Sequence, residues 1–289
     1  MTGDVFESVR PRLFGIAYRM LASVPDAEDV LQEAWLRWSG AARDAVADPA
    51  AYLATVVTRL CLAEVERARA RRAAYVGPWL PEPVDTSADP LLGAERAEAL
   101  SLAVLVLLER LTPAERAAFV LHAAFDYPHA RVAEVLETSE ANARQLYARA
   151  RKHLDAARPK PATPAERMRL LGAFAAAAQQ GDLAALESVL AADATSVSDG
   201  GGVVTAARKI VAGADRVAHF VLGVLDKFGR DATVRTVHVN GEPAFLAVRP
   251  DGTVFALWTV DASADAVQGL YIVLNPQKLS RIGAAPALS

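Results

Sequence analysis

The 289-residue chain holds one cysteine, Cys61. That excludes an internal disulfide and any multi-cysteine metal site, and it fits a reducing compartment. Long apolar runs are also missing. A bilayer-spanning helix needs about 20 apolar residues, whereas the longest candidate, Ala99 to Leu108, is about half that and runs into Glu109-Arg110. The first residues carry Asp4, Glu7 and Arg10 and form no signal-peptide core. Positive charge is not in excess either: the formal net charge is −3, so a nucleic-acid partner would have to be met by a local cluster of basic groups. No repeat of solenoid or propeller period is present, and no metal or cofactor site is expected. What is there is an ordinary globular composition, 53% hydrophobic and 22% charged, in a length that suits two or three domains. The chain reads as soluble and intracellular, with no membrane partner.

Proline divides it. Phe6 to Ala74 has helical periodicity. Gly77-Pro78-Trp79-Leu80-Pro81-Glu82-Pro83, running on to Pro90, cannot continue a helix, because proline lacks the N–H and restricts its predecessor. Leu91 to Arg158 is helical again, and Pro159, Pro161 and Pro164 mark a second boundary. Two short helices follow, then segments rich in Val, Thr, Phe and Trp, separated by the hairpin signals Asn240-Gly241 and Asp251-Gly252. The last third therefore reads as helices followed by an antiparallel meander. Strands are expected at about Ala194–Ser198, Thr233–Asn240, Pro243–Arg249, Val254–Val260 and Val267–Leu274.

In the first block, Leu31, Ala34, Trp35 and Trp38 share one helix face. Asp26, Glu28, Asp29, Gln32, Glu33 and Arg37 lie mostly on others. Pro25-Asp26 opens this helix. A second helix, about Pro49 to Ala74, carries Leu53, Val56, Val57, Leu60 and Cys61 and ends in Arg67, Arg69, Arg71 and Arg72. Arginines there suit the helix dipole and equally suit phosphates.

The second block is more explicit. Thr112, Pro113 and Glu115 form an N-cap, a first-turn proline and an acid at the third helical position. Pro128 starts a short helix containing Val132, Ala133, Val135 and Leu136. After a turn at Thr138-Ser139, a helix runs from Glu140 to about Ala157. Two helices joined by a short turn make a helix-turn-helix. Arg144, Arg149, Arg151, Lys152, Arg158 and Lys160 face only Glu140 and Asp155 in this stretch, so it is strongly basic within an acidic chain. Leu146 and His153, with Ala143 and Ala150, are expected to face the partner helix. Asn142, Arg144 and Gln145 can reach base edges, and Arg149, Arg151 and Lys152 can hold phosphates.

Leu13-Phe14-Gly15-Ile16-Ala17-Tyr18-Arg19-Met20-Leu21 and Asp26-Ala27-Glu28-Asp29-Val30-Leu31-Gln32-Glu33-Ala34-Trp35 resemble region 2 of the extracytoplasmic-function sigma factors of bacterial RNA polymerase. Leu111-Thr112-Pro113-Ala114-Glu115-Arg116 through Arg149-Ala150-Arg151 resembles region 4. Trp79-Leu80-Pro81-Glu82-Pro83, Asp199-Gly200-Gly201-Gly202 and Asn275-Pro276-Gln277-Lys278-Leu279 resemble the marks of the sigma-J-like class. Members of that class carry a C-terminal SnoaL-like extension of the NTF2 fold. The resemblance implies a multidomain chain: region 2 at 1–75, a proline-rich linker at 76–91, region 4 at 92–158, a second linker at 159–163, and an α+β cone at 164–289.

It also implies jobs. Asp26, Glu28, Asp29, Gln32, Glu33 and Trp35 would bind the clamp helices of the largest subunit of core RNA polymerase. The helix from Tyr52 to Arg72, with Arg59, Arg67, Arg69, Arg71 and Arg72, would engage and help melt the −10 element of promoter DNA. Asn142, Arg144, Gln145, Arg149, Arg151 and Lys152 would read the −35 element. Trp79 to Pro83, Asp199 to Gly202, and Asn275, Pro276, Lys278 and Leu279 would couple the cone to the rest. An unidentified small ligand in the cone could act as signal, with no separate anti-sigma factor required.

Five positions depart from the family pattern. Glu64 and Glu66 stand where a DNA-facing stretch is expected, Tyr52 where tryptophan is usual, Val203 where a basic residue follows the glycines, and Arg131 where an acid is common. Two other readings are open. One is a helix-turn-helix regulator that does not join polymerase. The other is an enzyme of the cyclase type using His219, His238, Asp199, Arg235 or Trp258, which no feature of the sequence brings together. The leading expectation is a non-enzymatic sigma factor regulated in cis.

Overall fold

A computed structural model describes residues 2–41, 46–86, 100–156, 162–229 and 231–282. Pro90, Leu91, Arg158, Pro159, Lys160 and Pro161, on which several expectations rest, lie outside the described residues. The described residues fall into two compact units: those up to Ala74 with Leu100 to Ala156, and Tyr75 to Thr86 with Ala162 to Ile282. The regions before and after the proline-rich segment thus share one unit, and that segment belongs to the other.

The helical unit begins with α1 (Thr2–Leu21), α2 (Val24–Ser39) and α3 (Pro49–Ala73). Ser23 caps α2 through the Asp26 amide, and Asp48 caps α3 through the Ala51 amide, each followed by proline in the first turn. Leu13, Ile16, Ala17, Leu31, Ala34, Leu53, Val57 and Cys61 are buried. Burial raises the Cys61 thiol pKa, so this sulfur is a packing atom. Next come α4 (Leu102–Leu108), α5 (Pro113–Phe119), α6 (His129–Val135) and α7 (Glu140–Ala156). Thr112 and Glu115 form a reciprocal capping box at α5. A π-helical turn, Val120–Ala124, follows α5 and was not expected from the sequence.

On α7 the buried residues are Ala143, Leu146, Ala150 and Leu154, while His153 is exposed. The expected placement of His153 is therefore corrected. The helical period carries the Ala143–Leu146–Ala150 face on to Leu154, not to His153.

The other unit is α+β. Helices α8 (Pro164–Gln180), α9 (Leu183–Val189) and α10 (Ala214–Phe228) accompany β1 (Leu190–Asp199), β2 (Val211–Ala212), β3 (Thr233–Val239), β4 (Glu242–Val248), β5 (Val254–Ala262) and β6 (Val267–Val273), and the short α11 (Pro276–Leu279) follows. The sheet order is β2-β1-β6-β5-β4-β3. Strands β3 to β6 form the expected antiparallel meander, but β1 pairs with β6 in parallel and adds β2 at its edge. A purely antiparallel sheet is thereby corrected. Strand β1 is separated in sequence from the meander by α10, a crossover long enough for parallel pairing. The Asn240-Gly241 turn supplies two successive positive φ angles, 56° and 73°, as a two-residue hairpin requires.

Register assigns the faces. Ala194, Leu270, Ile272 and Val260 share one face and pack with Leu171 and Phe174 of α8 and Val217 and Ala218 of α10. The opposite face carries Asp199, Val273, Leu257 and Leu246, all buried. A sheet buried on both faces needs a second cover. Helix α11 packs against β5, and the fully buried Leu80 of the proline-rich segment belongs to this unit.

Candidate nucleic-acid interface and linker joint

On α2, Asp26 pairs with Arg71 at 3.0 Å and Glu28 with Arg10 at 2.5 Å. Trp35 is half-buried, edge-on to Phe6 at 5.2 Å. Asp29, Gln32 and Glu33 are exposed. Leu36, which the sequence reading passed over, is 65% exposed beside them. Its signal was available: Leu36 falls off the Leu31–Ala34–Trp35–Trp38 stripe, so helical spacing puts an apolar side chain among acids.

The five arginines assigned to the −10 face all have partners inside the unit. Arg59 pairs with Glu137 at 3.0 Å and donates to the carbonyls of Val135 and Glu134 at 3.1 and 3.2 Å, at the C-terminal end of α6. Arg67 and Arg71 share Glu64, at 3.2 and 2.7 Å. Arg69 reaches Glu66 at 3.6 Å and the Leu111 carbonyl at 2.5 Å. Arg72 binds Glu109 and the Leu21 carbonyl. The two acids that depart from the family pattern are therefore counter-ions of neighbouring arginines. Arg131 donates to the Ala51 carbonyl at 2.8 Å and to Thr55 Oγ1 at 3.1 Å, tying α6 to α3 in the reverse direction from Arg59.

Deeper in this junction, Glu109 is shared by Arg72 and by Arg116, whose side chain is fully buried and donates to the Met20 carbonyl at 2.7 Å. Burial pushes the pKa of Arg72 down to about 9 and that of Arg116 down to about 10. Adjacent guanidiniums contribute in the same direction.

On α7, Ser139 accepts the Asn142 amide at 3.2 Å, the expected cap, and the Asn142 side chain donates to Thr138 at 2.8 Å. Arg144 pairs with Glu140, Arg151 with Asp155 and Arg149 with Glu115. Arg144, Gln145, Arg149, Arg151 and Lys152 are exposed together with Ala141 and Ala148. Charged and amide groups thus flank two small apolar positions on one face, a layout that suits base edges and thymine methyls. The helix is seated by aromatic packing: Tyr147 lies 4.5 Å from His122 edge-on and 6.2 Å from Phe119, and His122 stacks on His129 at 4.0 Å.

In the α+β unit, the proline-rich segment closes on one carboxylate. Asp199 is fully buried. Its Oδ1 accepts from the Tyr75 hydroxyl at 2.6 Å and the Gly201 amide at 3.0 Å; its Oδ2 accepts from the Leu80 amide at 2.8 Å and pairs with Lys278 at 2.7 Å. Four donors satisfy both oxygens, the condition under which a buried charge is tolerated. Lys278 also donates to the Leu80 carbonyl and lies 4.3 Å from the Trp79 ring centroid. Asn275 caps α11 and donates to the Tyr75 oxygen at 2.9 Å. Burial, with the bond to Asp199, raises the Tyr75 pKa and keeps it a donor.

The glycines have a steric reason. A Cβ on Gly201, at φ +64°, would lie 2.3 Å from Asn275 Nδ2, and one on Gly200 would lie 2.6 Å from the Val204 carbonyl oxygen. Pro81, Glu82, Pro83 and Leu279 are buried in the same unit, and Pro276 opens α11. The residues named as coupling elements are therefore brought together. One partner was missed. Asn240 is fully buried, accepts the Val84 amide on its side chain at 3.0 Å and donates its own amide to the Val84 carbonyl at 2.9 Å. The sequence signalled a turn there, and nothing in it showed that the turn would also receive the proline-rich segment.

The candidate enzyme residues are scattered. Asp199 is occupied by the joint. His219 is exposed on α10, with Nδ1 at 2.8 Å from the Asp215 carbonyl of its own helix. Strand alternation sets His238 and Trp258 on the face opposite Arg235 and Asp199.

Residues 5–71 match the family described as Sigma-70 region 2 and residues 101–154 that described as Sigma-70, region 4. Such a chain combines both helical regions of a sigma factor. It is 42% identical over 91% of its length to the ECF RNA polymerase sigma factor SigJ of Mycobacterium tuberculosis (92% of that protein), and 31% identical over 95% to the probable ECF RNA polymerase sigma factor SigI of the same species (93% of that protein). The crystal structure of the M. tuberculosis SigJ superimposes with a TM-score of 0.79 at 37% identity, covering 98% of this chain and 99% of the other. The chain belongs to the extracytoplasmic-function sigma factors of RNA polymerase, and its function is that of a sigma factor in transcription. The reading as a polymerase-independent regulator is not favoured. Among the described residues, no helix is long and apolar enough to cross a membrane.

Proposed function

We propose that this sigma factor binds core RNA polymerase through the exposed acidic face of α2, reads the −35 element with α7, engages the −10 element with α3, and is regulated in cis by its α+β unit. It would act in the cytoplasm, without catalysis of its own and without a separate anti-sigma protein. The observation that carries the regulatory part is the Asp199 joint. Residues 75–86 begin the only covalent link between the two helical regions, and they are bound into the α+β unit by the Leu80 amide, the Tyr75 hydroxyl and the Val84 backbone. Whatever loosens that unit changes the freedom of the link.

The arginine pairs support a second step. The −10 and −35 elements of a promoter are tens of ångströms apart at 3.4 Å per base pair, whereas Arg59 of α3 contacts residues 134–137 beside the start of α7. Engagement of both elements therefore requires those contacts to be exchanged for phosphates. The test is run-off transcription with purified bacterial core polymerase, comparing the full chain with one ending before Thr163. Start-site choice by the full chain, altered strongly by truncation, is expected. Unchanged initiation removes the regulatory part, and failure to associate with core removes the whole. Reversing charge at Asp29 and Glu33 is expected to weaken capture of core enzyme.

A further inference from the structure

Beside the Asp199 joint lies a cleft of about 280 Å³. One wall is the segment Val76-Gly77-Pro78, the other is the loop from Gly200 to Arg208, and Ser198 completes the lining. Three features describe what would fill it. First, the Ser198 hydroxyl is buried with no hydrogen-bond partner among the described residues, and Ser196, two residues back on the same face of β1, is in the same state. An unpaired buried hydroxyl is unfavourable, and a ligand atom that pairs with it removes that cost. Second, Val76, Val203 and Val204 are 56, 61 and 39% exposed, so the cleft is rimmed by uncovered apolar side chains. Val203 is the position that departs from the family's basic residue. Third, Arg208 is the sole charged residue in the lining, is exposed, and makes no ion pair among the described residues. Asp199, though adjacent in sequence, is turned to the opposite face and fully engaged there.

We propose that this cleft binds a small amphipathic carboxylate. One carboxylate oxygen meets Arg208 and the other reaches Ser198, and the apolar body lies against Val76, Val203 and Val204. The volume falls just below the range of drug-sized sites and so suits a small molecule. Because the two walls belong to the linker and to the glycine loop, a bound molecule would contact both and stabilise their docking by mass action. That consequence rests on the cis-regulatory reading; the binding itself does not.

The experiment is titration calorimetry of the full chain with octanoate, with octanol as a neutral control. Octanoate is expected to bind one to one, with octanol about tenfold weaker or worse for want of the charge-assisted bond. Arg208→Gln should reduce octanoate affinity to that of octanol. Ser198→Ala should weaken octanoate several-fold while leaving the melting temperature of the ligand-free protein unchanged or raised, because no existing hydrogen bond is lost. Absence of octanoate binding, or binding that either substitution leaves at parental strength, overturns the proposal. Run-off transcription with and without octanoate reads the regulatory consequence separately, so a failure of either is distinguishable.

Discussion

Two junctions in this molecule hold together segments distant in sequence, and they do so by opposite means. In the helical unit, long guanidinium side chains reach across and cap backbone carbonyls: Arg59 at Val135 and Glu134, Arg131 at Ala51, Arg69 at Leu111, Arg12 at Phe125. Much of this is half exposed. In the α+β unit, one carboxylate with no exposure gathers four donors, and the surrounding glycines leave no room for adjustment. The first junction is ionic and partly open to solvent; the second is dry and sterically fixed.

The largest effect is expected at the second junction. Asp199→Ala removes the carboxylate that Lys278 pairs with and the acceptor of the Tyr75 hydroxyl and the Leu80 amide. About 4 kcal/mol of stability should be lost, as for removing one partner of a buried ion pair. Urea denaturation of the full chain measures it, and faster hydrogen exchange at the Leu80 amide localises it. A loss under about 1 kcal/mol with Leu80 still protected would show that the joint is ornamental.

Next is Glu109→Gln, which probes the one buried part of the first junction. Arg72 and Arg116, already depressed by burial, would lose the carboxylate they share. A loss of about 3 kcal/mol is expected. A neutral Glu109→Gln in urea would mean that the helical junction has no dependence on this buried charge, which widens its difference from the Asp199 joint.

Much of this was legible in the sequence, because the signals were local. Thr112 and Glu115 announced their capping box, Asn240-Gly241 its hairpin, and Ser139 its cap. The parallel pairing of β1 with β6 was not legible, because it depends on a register set between strands some 70 residues apart. The interface sites divide in the same way. The exposed basic residues of α7 could be read from helical spacing. That Glu64, Glu66, Glu109 and Glu137 would occupy the arginines of α3 could not, since only the first two of those acids are near them in sequence. The coupling motifs were identified as a set. The physics that unites them, one carboxylate receiving Tyr75, Leu80, Gly201 and Lys278, required the fold.

A smaller effect sharpens the contrast at the exposed pairs. The Arg59 and Glu137 side chains are 45 and 73% exposed. A double-mutant cycle of Arg59→Ala and Glu137→Ala should give a coupling of about 0.2–1 kcal/mol that shrinks with added salt. A coupling above about 2 kcal/mol, insensitive to salt, would mean that this contact behaves like the Asp199 joint and resists exchange with DNA.

The smallest expected effect concerns the seat of α7. His129 stacks on His122, and its Nδ1 is buried without a hydrogen-bond partner among the described residues. Burial, followed by the neighbouring His122 and Arg144 charges, holds its pKa below the ordinary histidine value, with Glu140 opposing. The unfolded chain therefore takes up this proton near pH 6.5 while the folded one resists it. The stability concerned is present above that pH and is lost as pH falls through it. Between pH 7.5 and 5.5 the helical unit should lose melting temperature, and His129→Gln should remove part of that loss. Because the Asp199 joint contains no histidine, Leu80 exchange corrected for its intrinsic pH dependence should not follow this change. If it does, the two junctions are coupled through the folded state and the separation drawn between them fails.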